Sequence, residues 1–376
     1  MSSPAVIELR LPSDVTTITA QDLYQHYGSD FRSRIDSVFT EDTDTWLSDR
    51  LRANVSRFAA YKAEYVSAAL QRALNDATTP EKDRQKYARA VLRTFSRYQD
   101  AERSTATARA RTAKQFEEFL QPDNVRLFPN LKWLPSRSAD PRVSHTAFYN
   151  RVWAKDDPFW NFNAPGTEWN CKCDIEETDE PLTDNTAVPQ PTIPLGLEGN
   201  PAQTGEIFTD NASYIRTAGR NRAERDRAEL NCENLSRPKT IQRAREALLE
   251  TDTLCTINGE RHTVMFIPQG IAEYSQSMKG NRTSYWLKNE ILTKIKQYIE
   301  TAECVGKKVS DTSHNTRPQT VRLKRNTDFY YYFKIELPNG ETAYLHLGRY
   351  KQGHERAGKF YLYTITRQLP ENVETP

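Results

Sequence analysis

The chain changes its hydrophobic period twice. Leu23, Tyr27, Phe31 and Ile35 recur at spacings of four after Thr19, which is one face of a helix. Glu41-Asp42-Thr43-Asp44 then loads acids where a helix dipole favours them, at a predicted N-terminus. Trp46, Leu47, Leu51, Val55, Phe58, Tyr61 and Tyr65 carry the next apolar stripe to about Ala77. Thr78-Thr79-Pro80-Glu81 breaks the stripe and restarts it, with proline placed for a first helical turn. Tyr87, Val91, Leu92, Phe95 and Tyr98 lead a further helix to about Leu120, and two long antiparallel helices are the simplest packing. Periodicity then lapses over Leu131 to Ile175. Residues 176–214 are acidic, then proline-rich (VPQPTIPLGLEGNP), which reads as an extended linker with Ile207-Phe208 as a small apolar anchor. Short helices are expected over Arg216–Arg227 and Thr240–Leu249.

From Leu254 the period becomes two. CTINGERHTVMFIP alternates like a hairpin, with Asn258-Gly259 as its turn. Ser284–Cys304 is predicted as an amphipathic helix with Leu287, Ile291, Ile295, Tyr298 and Ile299 on one face. Val321–Leu323, Phe329–Leu337, Thr342–Leu347 and Phe360–Thr366 read as strands, with a second turn at Asn339-Gly340. The class is α+β: a long-helical N-terminal part with an irregular Trp/Cys module, then a small α+β domain with an antiparallel sheet. The expected division is a helical region over 1–125, the module over 126–180, a proline-rich linker and charged helix over 181–235, and the α+β domain over 236–376.

Composition narrows the class. An apolar share of 37% and a mean hydropathy of −0.78 suit long exposed helices of an assembly protein better than one large spherical enzyme. Net charge is +2, so nucleic-acid contact has to come from local patches. One candidate is RSTATARARTAK, Arg103 to Lys114, read either as a basic face near DNA or a partner, or as a solvated helix surface. MSSPAVIELRLP has no basic region followed by an apolar run, so no signal peptide is expected. No run of about eighteen apolar residues exists, so no membrane span is expected. Five cysteines with no secretion signal point to a reducing compartment without a disulfide framework.

Leu131 to Ile175 holds Trp133, Trp153, Trp160 and Trp169, four of the six tryptophans. Three chemistries compete there. His145, Cys171 and Cys173 are suitable zinc ligands, but structural zinc takes four, Cys-x-Cys is tighter than the usual spacing, and no fourth ligand stands out. No cofactor or metal is therefore expected, and that trio is the alternative. Catalysis by His145 with Asp140 or Asp157 lacks a nucleophile pattern. The reading that suits the composition is structural: Trp and Pro pin an irregular loop, while Arg142 and His145 hydrogen-bond to its backbone.

The order of these residues is informative. Arg142-x-x-His145 precedes Asp156-Asp157-Pro158-Phe159-Trp160, then Pro165, Trp169, Asn170, Cys171 and Cys173. Phe128-Pro129-Asn130-Leu131 leads in, and Asn200-Pro201, Gly205 and Ile207-Phe208 trail. Together these resemble the phage Mu F-like minor head protein family over roughly residues 20–215. Two departures are mild: Lys172 stands where the family has Arg between the cysteines, and TAFYN replaces a Gly after the His. The resemblance implies a head-morphogenesis protein of a tailed phage or prophage, present in few copies. Its implied contacts are portal, capsid or scaffold proteins and phage DNA, and its implied place is the virion (capsid interior or portal vertex) and the host cytoplasm during assembly. It implies no catalytic activity for the central motif.

WLKNEILTKIKQYIETAECV followed by YYYFKIEL, AYLHL and KFYLYTITR resembles, over about 250–370, nuclease-like domains of the barnase–EndoU–colicin–RelE-like group. A metal-independent RNase needs a base for the ribose 2′-OH, an acid for the leaving oxygen and cations for the phosphate. The candidates are His346 or His354 as acid and base, with Thr364 and Tyr361 as hydrogen-bonding groups. Lys288, Arg322, Arg349 and Lys351 are the candidate phosphate-binding cations. Period two sets Tyr361 and Tyr363 on one face of the last strand and Thr364 and Thr366 on the other. It likewise sets Arg322 and Lys324 on one strand face. Against this, His346 reads equally as a satisfied core-edge histidine, KQGHERAGK as a solvated hairpin tip, and the aromatics as sheet core. Three functions are carried forward: a head protein with an RNase-like passenger, a nuclease effector with a docking front half, or a tail domain that only binds nucleic acid.

Overall fold

Thr19 starts the ordered helices. Its hydroxyl accepts the Asp22 N–H at 3.1 Å while the Asp22 carboxylate accepts the Thr19 N–H at 2.9 Å, a reciprocal cap. The computed structural model describes residues 15–40, 45–139, 141, 143–189, 192–274, 288, 291–292, 294–310, 323–337 and 342–376. The chain forms two units, Met1–Cys232 and Glu233–Pro376.

In the first unit, α1 (Ala20–Asp36), α2 (Trp46–Leu74) and α3 (Glu81–Phe119) are the long helices. Leu23, Tyr27, Phe31 and Ile35 are all buried, as their spacing predicts. They meet Leu51, Val55, Phe58 and Tyr61 of α2 and Leu92 of α3 in one core. The acid run 41–44 lies outside the described residues; the described N-cap of α2 is Thr45, which accepts the Ser48 N–H at 3.3 Å.

Two expectations change here. Arg103–Lys114 is not a wholly solvated helix surface, although Arg111 is exposed. Thr105, Ala106, Arg109, Ala110, Thr112 and Ala113 are buried. Small side chains let other backbone approach α3, and the Arg109 guanidinium donates to the carbonyls of Leu197, Gly199 and Glu206 at 2.8 to 3.1 Å. Those carbonyls belong to the proline-rich stretch, which is therefore no loose linker. Leu197, Ile207 and Phe208 are buried in the helical core, and Phe208 stacks on Phe58 at 3.9 Å. Asn54 locks that segment by accepting the N–H groups of Ile207 and Phe208 at 2.9 Å and donating to Phe208 O at 2.9 Å. Proline and glycine gave the stretch the composition of a linker, but tertiary contacts satisfy its backbone.

The two short helices expected after residue 215 are instead mostly one, α4 (Arg222–Leu248), with Pro238 inside it. Part of its buried face is polar: Glu229 accepts from Arg57 at 2.9 Å and Tyr61 at 2.7 Å. A polar buried face leaves no apolar stripe to read.

The second unit is a six-stranded sheet in the order β4-β5-β9-β8-β7-β6, with α5 (Pro268–Tyr274) and α6 (Ile295–Thr301). Its strands are β4 (Asp252–Ile257), β5 (Glu260–Met265), β6 (Glu303–Val309), β7 (Thr327–Glu336), β8 (Thr342–Tyr350) and β9 (Phe360–Thr366). All neighbouring pairs are antiparallel except β5 and β9. The hairpin turn at Asn258-Gly259 forms with φ of 50° and 83°, the left-handed pair such turns need. The fold is α+β, as expected. Most of Ser284–Leu292 and all of Asn339-Gly340 lie outside the described residues. The expected helix end at Cys304 is a strand instead, because Glu303–Val309 pairs with β7. The expected strand Val321–Leu323 is described only at Leu323, which opens a helical turn.

One register shift reorients β9. Pairing jumps from His346↔Thr364 to Leu347↔Leu362, leaving Tyr363 as an extra residue. Tyr361 thus opposes Gly348 and shares a face with His346 and Thr364, contrary to the period-two expectation. Gly348 makes room for it: a Cβ there would lie 2.5 Å from the Tyr361 hydroxyl oxygen. No described helix is long and apolar enough to cross a membrane.

Candidate functional site

The central module is a small sheet, β1 (Asn130–Leu134) between β2 (Val152–Ala154) and β3 (Asp174–Thr178). Trp133 on β1 and Trp153 on β2 point into an aromatic core with Phe148, Phe159 and Trp160. Trp153 stacks on Phe159 at 4.0 Å, and the Trp160 indole donates to Ala154 O at 2.9 Å. Asp157 is spent on structure, because its carboxylate accepts the Phe159 N–H at 2.8 Å and starts the turn Pro158–Asn161. Arg142 and Asp140 lie outside the described residues. Pro165 O accepts from Thr112 of α3 at 2.9 Å, and Gly166, at φ 91°, lets the loop pass Arg109, whose Cγ a Cβ would meet at 2.8 Å. Asn200 donates to Trp160 O at 3.1 Å and caps the turn Pro201–Thr204. The motif pieces spread over residues 130–208 are thereby held in one unit.

At the edge of this core His145 meets Cys171 and Cys173. Nδ1 lies 3.6 Å from the Cys171 sulfur and 3.5 Å from the Cys173 sulfur. Nε2 faces Glu168 Oε1 at 3.6 Å, and Ser144 Oγ donates to that same oxygen at 2.7 Å. The imidazole is 1% exposed, edge-on to Trp133 at 5.6 Å and stacked with Phe148 at 5.9 Å. The Cys171 thiol is lowered to about 4. Its hydrogen bond from Cys173 is the main cause, with His145 adding to it and burial opposing it. Cys173 is correspondingly pushed up. The expected role of His145, bonding to loop backbone, is thus replaced by contacts to sulfur and carboxylate. Among the described residues, His145, Cys171 and Cys173 form a group able to hold a metal. Both cysteines line a cleft of about 320 Å³ beside α3.

The C-terminal candidates divide into three places. His346, Thr364, Lys288 and Tyr361 share one buried face. His346 Nε2 lies 2.8 Å from Thr366 Oγ1, whose hydroxyl donates to Gln368 O at 2.8 Å, so the ring nitrogen is the donor. Lys288 Nζ donates to Thr364 Oγ1 and Glu273 O, both at 3.3 Å. Burial and then the Lys288 charge hold His346 down to about 3, and burial lowers Lys288 to about 8. Tyr361 Oη bonds Thr327 at 2.6 Å and Tyr330 at 3.2 Å, as sheet core. Arg349 lies on the opposite face, forked onto Asp328 at 2.7 and 3.0 Å and over Phe329 and Tyr331. Lys351 and His354 sit in the β8–β9 connection, where His354 stacks on Tyr350 at 4.6 Å and its Nδ1 accepts the Arg356 N–H at 3.1 Å. Arg322 lies outside the described residues. Glu168 escaped the sequence reading, and Thr366 entered it only by its strand face. Nothing in their local pattern sets them beside a histidine.

The chain is similar to a Mu-like prophage F protein. The match, to the FluMu F protein of Haemophilus influenzae, is 28% identical over 129 residues. It covers 34% of this chain and 28% of that protein's length. No family model matches the chain, and no solved structure matches it.

Proposed function

We propose that the protein is a minor head protein of a tailed phage or prophage. It acts in capsid morphogenesis beside portal and scaffold proteins, and resides in the virion after assembly in the host cytoplasm. The observation that carries this is the similarity to the Mu-like prophage F protein. The way Trp160, Pro165, Asn200 and Phe208 tie into one unit supports it, since it gives the scattered motif a common structural reason. Mass spectrometry of purified virions tests it. The protein is expected in few copies per particle, and its absence from both mature particles and proheads overturns the reading.

For the second unit, the RNase-like reading rests on the His346–Thr364–Lys288 face. Lys288 there is a buried amine near a threonine hydroxyl and could meet a phosphate. His346, held neutral down to about pH 3, is poorly suited near neutral pH either to take up a proton or to act as the acid, which weighs against this reading. Arg349, on the other face and paired with Asp328, is not at hand. The full chain incubated with total RNA in EDTA decides: cleavage lost in His346→Ala supports a nuclease. Intact RNA at high protein concentration removes that reading and the effector alternative built on it.

A further inference from the structure

We propose that His145 Nδ1, Cys171 Sγ and Cys173 Sγ bind a zinc ion, whose fourth position is open to water or a small anion from the neighbouring cleft. This goes beyond the head-protein reading and does not depend on it.

The distances carry the argument. Zinc–sulfur bonds of about 2.3 Å and zinc–nitrogen bonds of about 2.0–2.1 Å at a tetrahedral angle separate sulfur from nitrogen by about 3.5–3.6 Å. The two separations are 3.6 and 3.5 Å, and all three ligand atoms lie within 4.8 Å of one another. Both sulfurs approach the same ring nitrogen. A neutral imidazole offers one lone pair there, which cannot serve two S–H donors well. A cation between the three atoms takes that lone pair and both thiolates.

The surroundings agree. Glu168 on the far side of the ring favours a proton on Nε2, which leaves Nδ1 as the ligand, and Ser144 holds Glu168 in place. A carboxylate behind a histidine is the usual outer partner of a metal ligand. His145 Nε2, Trp133 Nε1 and Tyr149 Oη are buried without an ordinary hydrogen-bond partner. Trp133 and Tyr149 both bear on Cys173. An N–H and an O–H aimed at sulfur suit a thiolate that a metal keeps deprotonated.

The backbone is set for the same end. Cys171 and Cys173, just before β3, both reach the same ring nitrogen, while Lys172 between them is exposed. Lys172 O accepts the Arg137 N–H at 3.2 Å, and Asn170, at φ 59°, donates its N–H to Thr105 Oγ1 at 3.0 Å. Among the described residues no further His, Cys, Asp or Glu joins the trio. Three protein ligands with an open position is the arrangement of reactive zinc centres, whereas structural zinc is closed by four. Arg111 and Lys172 beside the cleft suit water or a small anion there.

The test is elemental analysis of the full chain, purified under reducing conditions without a metal-affinity step and then incubated with zinc and desalted. One zinc per chain is expected, falling to none in Cys171→Ser and in Cys173→Ser and remaining at one in Cys232→Ser. Glu168→Gln should retain the site but lower its affinity against a chelator about 10–100-fold. Cobalt added to the wild-type chain should give thiolate-to-metal absorption, a readout that needs no variant to fold. Metal-free protein with no cobalt–thiolate absorption overturns the proposal, as does zinc that persists in both cysteine variants.

Discussion

His145 and His346 are both buried and both edge-on to an aromatic ring, Trp133 at 5.6 Å and Tyr332 at 4.7 Å. Their polar partners differ. His346 donates to Thr366, and the Thr366 hydroxyl donates to the Gln368 carbonyl, so the chain of donors closes on the protein's own backbone. His145 has two sulfurs crowding one nitrogen and a carboxylate 3.6 Å from the other. A buried imidazole with a closed hydrogen-bond chain is accounted for by the fold. One surrounded by soft ligands and orphaned donors calls for something more. Pattern reading alone ranked them the other way, with catalysis at His346 and mere structure at His145.

Four measurements test this contrast. The largest effect is expected at Trp160, 1% exposed and packed on Trp133, Trp153 and Phe159. Trp160→Ala should cost about 3–5 kcal/mol in urea unfolding of the full chain. A cost below about 1 kcal/mol would mean that the aromatic core does not hold the His145 side together. Gly348→Ala is expected to cost about 1–3 kcal/mol by driving Tyr361 off Thr327, and a neutral result would remove the bulge-dependent packing of the His346 face.

The pH dependence separates the histidines further. His346 has a folded value of about 3, against an ordinary 6.5. Below pH 6.5 the unfolded chain binds a proton that the folded chain refuses. Its contribution is therefore fully present above 6.5 and is lost as pH falls from there toward 3, at about 1.4 kcal/mol per unit at most. Urea midpoints at pH 7, 6 and 5 should show a slope that His346→Gln flattens; an unchanged slope contradicts the closed, neutral site. The smallest effect serves as a baseline. Thr19→Ala, which removes the α1 cap, should cost about 1 kcal/mol in thermal unfolding without touching zinc content.

Local signals were legible where the structure is local. The four-residue spacing of Leu23 to Ile35 needs only one helix and one core, and the Asn258-Gly259 turn needs only two left-handed residues. The candidate sites were legible only as residue types. His145 and Cys171 are 26 residues apart, and no spacing rule joins them. Tyr361 changed faces because a single bulge residue, Tyr363, reversed the alternation after it. The helix expected to run to Cys304 stops at Thr301, because β7 offers Glu303–Val309 a pairing edge.

The residue pattern specified the helical first part, the hairpin, the α+β class and the cluster of unusual residues between Leu131 and Ile175. Those follow from periodicity and turn chemistry, which act over a few residues. Tertiary structure alone decided that Arg109 is buried among carbonyls, and that the proline-rich stretch belongs to a core. It also brought two thiols and Glu168 to opposite sides of one imidazole. These depend on which distant backbone and side-chain groups are satisfied together, a condition that hydropathy does not encode.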